Sequence, residues 1–426
     1  MAERGHGMTI TTLDRTFRVP LDHAKPDGET IEVYAREVTR GRTDLPYLLY
    51  LNGGPGFPSP RPLGGEGWLR RALTDYRLLL LDQRGTGRST PVTRHSLAKQ
   101  GTPQQQADYL KHFRADSIVR DAELIRQQMT SDKWTLLGQS FGGYCAVTYL
   151  SFAPHGLSEV FITGGLPGLE STADDVYRLL YRTVVGKNAA HYERYPQDIE
   201  RAHNVARFLK DNAVHLPNGR PLTVEAFQAL GNLLGSATGS TRLHYLLEAP
   251  FDGTHLADAF LADVERELSW ASSAPLYFLL HEASYARGEG ATGWSAQRVR
   301  SEFPEFDKDD PLLFTGEMVY PALFDTDPAL APFRETAHLL AHERTWPELY
   351  DVDRLRANEV PVAAAVYHDD MYVARELSLE TARTIAGARP WLTAEYEHDG
   401  LRVSDGAVLD RLISMLRLGE GPGHAG

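Results

Sequence analysis

Gly138-Gln139-Ser140-Phe141-Gly142 places a serine between two glycines. The run before it, Trp134-Thr135-Leu136-Leu137, reads as a short buried strand, and Gly143 to Leu150 reads as an apolar helix. A sharp strand-to-helix turn would push Ser140 out of a sheet and aim the helix N-terminal N–H groups at any oxyanion formed there. The flanking glycines let the backbones pass closely. The chemistry on offer is nucleophilic attack on an acyl carbon. A serine hydroxyl is a poor nucleophile at neutral pH, so it needs a base and a carboxylate to orient that base. Two later segments supply them at the ends of apolar runs. Val360 to Val366 leads into Tyr367-His368-Asp369-Asp370-Met371, and Thr393 to Tyr396 leads into Glu397-His398-Asp399-Gly400. Among 16 histidines, His398 is set apart by this placement, with His368 next. Asp370 is the favoured orienting carboxylate and Asp369 the alternative. An oxyanion hole needs two backbone donors. Phe141, directly after the serine, offers one. Gly54 in Asn52-Gly53-Gly54-Pro55-Gly56 offers the other, although these residues would equally make a plain turn.

The elements that must position these groups alternate along the chain. Thr16 to Leu21 and Glu29 to Val38 read as an antiparallel hairpin, with Pro26-Asp27-Gly28 in its turn. Leu45 to Leu51, Tyr76 to Leu81, the strand before Ser140, and Val160 to Thr163 are continuous apolar runs, as expected of a parallel sheet covered on both faces. Asp116 to Thr130 has helical periodicity. From Pro167 to Trp346 the pattern turns helical: Tyr177 to Val185, His191 to Asn212, Thr223 to Leu234, Leu256 to Leu268 and Pro275 to Ala286, with no convincing strand. Strands return at Val360 and Pro390, Ala407 to Leu418 closes as a helix, and Gly419 to Gly426 reads as a disordered tail. The expected architecture is an α/β core, residues 1–166 and 347–426, interrupted by a helical cap, residues 167–346.

The 426 residues are enough for a large core and more than one domain. A net charge of -13 argues against nucleic acid and anionic membranes as partners. The lone Cys145 cannot form an internal disulfide and reads as buried filler on the helix after Ser140. Met1 to Ile10 has no apolar core for a signal peptide, and no run approaches the ~18 apolar residues of a membrane span, so a cytoplasmic protein is expected. Metal chemistry finds little support. His-Glu-x-x-His is absent, His338 and His342 share only a four-residue spacing, and Asp307, Asp309 and Asp310 lack calcium-loop glycine spacing.

These segments resemble the proline iminopeptidases, serine aminopeptidases of the α/β-hydrolase fold, in order and over most of the chain. Asn52-Gly53-Gly54-Pro55-Gly56 is similar to that family's His-Gly-Gly-Pro-Gly loop. Asp82-Gln83-Arg84-Gly85-Thr86-Gly87-Arg88-Ser89 resembles its Asp-Gln-Arg-Gly-x-Gly-x-Ser segment, and Gly138 to Gly143 its Gly-Gly-Ser-Trp-Gly elbow. Met371 after Asp370 fits its Gly-Arg-Tyr-Asp-Met segment and favours Asp370 over Asp369. Asn52, Phe141 and Tyr367-His368-Asp369 depart from the pattern, which suggests a longer-chain branch with a larger cap. The resemblance implies release of an N-terminal residue, preferably proline, from short peptides without a cofactor. It also implies cap carboxylates for the substrate amine, and Glu282 and Glu317 sit in matching segments. Phe141 and Tyr320 would then wall a proline ring. An esterase on the same fold, an aminopeptidase of other N-terminal specificity, and a binding module without chemistry are the rival readings. Glu282 and Glu317 speak against the esterase, and the complete Ser140, Asp370 and His398 set against the binding module. Oligomeric state is not legible.

Overall fold

The computed structural model describes residues 10–63, 67–130, 132–308 and 310–417; the expected tail and Leu418 lie outside them. Eight strands form one sheet: β1 (Thr11–Pro20), β2 (Thr30–Thr39), β3 (Tyr47–Leu51), β4 (Arg77–Asp82), β5 (Trp134–Gln139), β6 (Leu157–Thr163), β7 (Val362–Tyr367) and β8 (Ala388–Thr393). Their spatial order is β1-β2-β4-β3-β5-β6-β7-β8. β1 and β2 form the expected hairpin, in register from Thr11 opposite Thr39 to Pro20 opposite Thr30. β2 runs antiparallel to β4, and every pairing from β4 to β8 is parallel. This is an α/β-hydrolase architecture.

The continuous apolar runs are explained by burial on both faces. Leu49, Leu51, Leu79, Leu81, Leu136 and Val366 point into a core closed by the helices Ala115–Met129 and Phe141–Phe152. Their neighbours Leu48, Tyr50, Leu78, Leu80, Leu137 and Tyr367 point the other way, against the helices Gly67–Asp75 and Ala407–Arg417. Cys145 is buried and free.

Between β6 and β7 the chain is mainly helical. A 22-residue helix, Ala173–Arg194, opens on a capping box between Thr172 and Asp175. It runs further than expected, through His191, and ends before Pro196, which cannot continue an interior turn. Gln197–Asp211, Gly239–Leu246 and Asp258–Leu268 follow. Two expected helices tighten into 3₁₀ turns, at Ala229–Gly235 and Glu282–Ser284. Two-residue ladders at Phe251–Asp252 with His255–Leu256, and Gly288–Glu289 with Thr345–Trp346, are strands that no hydrophobic periodicity announced.

Among the described residues the helical stretch adds a third hydrophobic core to the two on the faces of the sheet. Tyr177, Tyr181, Phe227, Phe306 and Phe314 centre the helical one, which also takes in Met371 and Ala374 from the loop after β7. Leu276, Leu280, Val319 and Phe333 from the helical stretch pack instead with the sheet. No helix of the described residues is long and apolar enough to cross a membrane.

Candidate active site

Ser140 follows β5 directly and precedes the helix Phe141–Phe152. Its φ of 54° lies in the left-handed region, a conformation that costs a non-glycine residue free energy and persists only when its surroundings impose it. The surroundings are tight. A Cβ on Gly142 would stand 1.9 Å from the Leu51 carbonyl oxygen, and one on Gly138 would stand 2.4 Å from that of Gly142. Neither position admits a side chain.

His398 sits in the loop after β8, which ends at Thr393, three residues short of the run expected from sequence. Its Nδ1 lies 2.7 Å from Asp370 Oδ2. Asp370 Oδ1 accepts the N–H groups of Tyr372 at 2.9 Å and Val373 at 3.1 Å. Both side chains are buried. Burial opposes a charge on His398, but the Asp370 carboxylate, helped by Glu317, outweighs it and holds the imidazole pKa above its ordinary value. The two alternatives point elsewhere: Asp369 is exposed and pairs with His368 at 2.8 Å, and the other nitrogen of His368 meets Arg375 at 2.7 Å.

The Asn52 to Gly56 loop passes beside the serine, so that a Cβ on Gly53 would come within 2.8 Å of Ser140 Cβ. Gln83 Nε2 donates to the Asn52 carbonyl at 3.0 Å, and the Asn52 side chain bridges Tyr50 Oη and the Pro58 carbonyl. Asp82 accepts Ser59 N–H and the Arg61 guanidinium. Arg84, wholly buried, meets Asp121 through Nε at 2.7 Å and Nη2 at 2.6 Å and donates to the Leu21 and His112 carbonyls. The Asp82 to Ser89 segment is therefore a brace, which ties the hairpin and the glycine loop to the sheet.

Ser140, His398, Gly53, Gly54 and Glu317 line one cavity of about 700 Å³, with Gln139, Asn232, Tyr277, Tyr372 and Arg402 among the other walls. Tyr277 Oη donates to Glu317 Oε1 at 2.7 Å. Burial raises the Glu317 pKa to about 7, against the opposing pull of Tyr277 and His398. Tyr277, Tyr372 and Arg402 escaped the sequence reading. Aromatics near an expected cap look like core, and an arginine four residues past His398 looks like surface.

Three side chains expected to meet the substrate, those of Glu282, Tyr320 and Phe141, do not line this cavity. Glu282 is buried, and its two oxygens accept the N–H groups of Ser295 at 3.0 Å and Ala296 at 2.9 Å. It caps the helix Ser295–Arg300 and lines a separate small cavity with Phe278 and Trp294. Tyr320 is packed in the helical core, where its hydroxyl meets Tyr181 Oη at 2.8 Å and Arg300 at 3.5 Å. Phe141 is buried directly behind the serine, its ring 6.2 Å from that of Tyr144. Among the described residues no group of three or more His, Cys, Asp or Glu could hold a metal ion; Asp309 lies outside them.

A family profile described as alpha/beta hydrolase fold matches residues 46–250. The proline iminopeptidase of Aeromonas sobria is 49% identical over 94% of this chain and 95% of its own length. Proline iminopeptidase aneH of Aspergillus aculeatus is 36% identical over 95% of this chain and 93% of its own. That of Lactobacillus delbrueckii subsp. lactis is 26% identical over 47% of this chain and 65% of its own.

Proposed function

The chain belongs to the proline iminopeptidase family, and we propose that it is a serine aminopeptidase that releases an N-terminal residue, preferably proline, from short peptides through an acyl-enzyme. The observation that carries this reading is one cavity holding Ser140, the Asp370-paired His398 and the carboxylate of Glu317.

Ser140 Oγ attacks the scissile carbonyl carbon while His398 Nε2 takes its proton. Asp370, bonded to Nδ1, fixes the tautomer in which Nε2 carries no proton and acts as base, and it stabilises the imidazolium; the Gln139 amide, 3.4 Å from Nε2, must yield that nitrogen to Ser140. The tetrahedral oxyanion is held by the N–H groups of Phe141 and Gly54, each contributing about 3 kcal/mol by analogy with measured oxyanion donors. Collapse expels the peptide amine, which leaves with the proton carried by His398. A water activated by the same imidazole then hydrolyses the ester on Ser140. Glu317 pairs with the substrate's cationic amine, a charge that internal peptide bonds lack. Glu282 has no place in this step, because its oxygens are committed to the Ser295 helix.

In the same reading residues 1–166 and 347–426 form the core, and the helical stretch 167–346 caps it and limits substrates to short peptides. No cofactor is required. A cytoplasmic setting suits a chain whose one thiol, Cys145, is buried and free.

The test compares proline p-nitroanilide, its N-acetyl derivative and p-nitrophenyl acetate. Cleavage of the free-amine anilide alone, abolished in Ser140→Ala, is the expected result. Ester cleavage without anilide cleavage would establish an esterase instead, and no turnover at all would leave a binding module.

A further inference from the structure

Among the described residues Glu317 and Arg402 are, apart from His398, the two charged side chains that line the Ser140 cavity. No ion pair joins them among the described residues. Glu317 is bonded to Tyr277, and its charge acts on the buried hydroxyls of Tyr144, Tyr177, Tyr285 and Tyr372. Arg402 is exposed, and its charge acts on Tyr50, whose ring stacks on Trp68 at 4.7 Å. His398 feels both charges, the Glu317 carboxylate raising its pKa and the Arg402 guanidinium lowering it. Among the described residues the Arg402 guanidinium has no hydrogen-bond or ion-pair partner, whereas Arg61, at the Pro58 to Pro60 rim, is committed to Asp82. An arginine left open at a cavity rim presents a planar fork of donors that fits a carboxylate.

We propose that Arg402 receives the C-terminal carboxylate of a dipeptide or tripeptide on the leaving-group side of Ser140, so that the cavity reads both ends of a short zwitterion. This rests on the aminopeptidase reading. The amine would sit at Glu317, the scissile carbonyl at Ser140 and the terminal carboxylate at Arg402. The preference for short peptides then has an electrostatic origin as well as a steric one, since a long substrate carries its carboxylate past the guanidinium.

The experiment measures kcat/KM for Pro-Ala and for Pro-Ala amide in the wild type, Arg402→Ala and Arg402→Lys, with proline p-nitroanilide as reference. The wild type should favour the free acid about tenfold. Arg402→Ala should bring the acid-to-amide ratio to within about twofold of unity, and Arg402→Lys should restore part of it. The preference should also weaken as salt rises, as expected of an exposed charge pair. A wild type indifferent to the terminal charge overturns the proposal. So does an Arg402→Ala enzyme that loses acid and amide equally with a shifted acidic limb of its pH profile, because Arg402 would then act only on the charge of His398. In either case the p-nitroanilide is still cleaved, and the aminopeptidase reading stands. If it is not cleaved at all, both fall together.

Discussion

Asp370 divides its carboxylate between two tasks: Oδ2 meets His398 Nδ1 at 2.7 Å while Oδ1 takes the N–H groups of Tyr372 and Val373. The carboxylate that the proposed mechanism assigns to orienting His398 is thus locked by its own loop. Asp370→Asn keeps this shape but presents an amide N–H or a weaker acceptor to the ring, and so selects the wrong tautomer. The expected outcome is a fall in kcat of about 10⁴ with KM little changed, by analogy with the equivalent change in a serine protease. The pH profile gives a second reading. Activity needs neutral His398, whose pKa the Asp370 charge raises. The acidic limb of the wild type should therefore lie above the ordinary histidine value, and Asp370→Asn should move it to lower pH. A limb that stays in place contradicts the assigned pairing.

Glu317, with its pKa at about 7, should be largely protonated in the empty enzyme at pH 6. Pairing with a cationic amine forces it to ionise, so binding of a prolyl inhibitor should release a proton. Calorimetry in buffers of different ionisation enthalpy measures that release, and Glu317→Gln should abolish it. Stability moves with the same group. The folded pKa lies above the ordinary value of 4.5, so the folded state holds the proton more tightly. Between the two values stability falls as pH rises, and the penalty is complete above pH 7. The wild type minus Glu317→Gln difference in Tm should follow that slope.

Glu282→Gln tests the reassignment of the second carboxylate. One helix-capping oxygen and the negative charge are lost from the Ser295 N-terminus, so the unfolding free energy should drop by about 1–2 kcal/mol. Discrimination between free and N-acetylated substrates should match the wild type. A variant of normal Tm that accepts blocked substrates would return Glu282 to the amine site.

Arg84→Met leaves the buried Asp121 without its guanidinium, with only the His23 ring, 2.9 Å away, still beside it. Removing one member of a buried pair typically costs about 3–5 kcal/mol. Urea denaturation should show the extrapolated unfolding free energy falling by that amount, with the midpoint moving to lower urea. Any protein that remains folded should keep a near-normal KM, since Arg84 does not line the cavity.

The parts of the proposed site that end strands had positions legible in the sequence. Ser140, Asp370 and His398 each follow an apolar run, and a parallel sheet delivers such loops to one edge whatever the rest of the chain does. The helical stretch has no such register. Glu282 and Tyr320 lie in 3₁₀ and irregular segments, where facing is set by packing rather than by spacing. Motif likeness located both segments but could not say which way either side chain turned. Arg402 was invisible for a related reason. In the proposed site its value comes from sharing one cavity with Glu317, 85 residues earlier in the chain.

The loops that carry the base and its carboxylate are stitched to the helical insertion. Gly235 accepts the backbone N–H of His398 at 3.2 Å, Ala237 donates to Asp399 at 3.1 Å, Tyr372 Oη bonds the Asn232 carbonyl, and Met371 is buried in the helical core. In the proposed mechanism the insertion therefore serves as a jig for His398 as well as a roof over the substrate. A chimera that swaps in a foreign insertion to change specificity must carry over the Asn232 to Ala237 turn and a socket for Met371, or it will exchange selectivity for the alignment on which turnover depends.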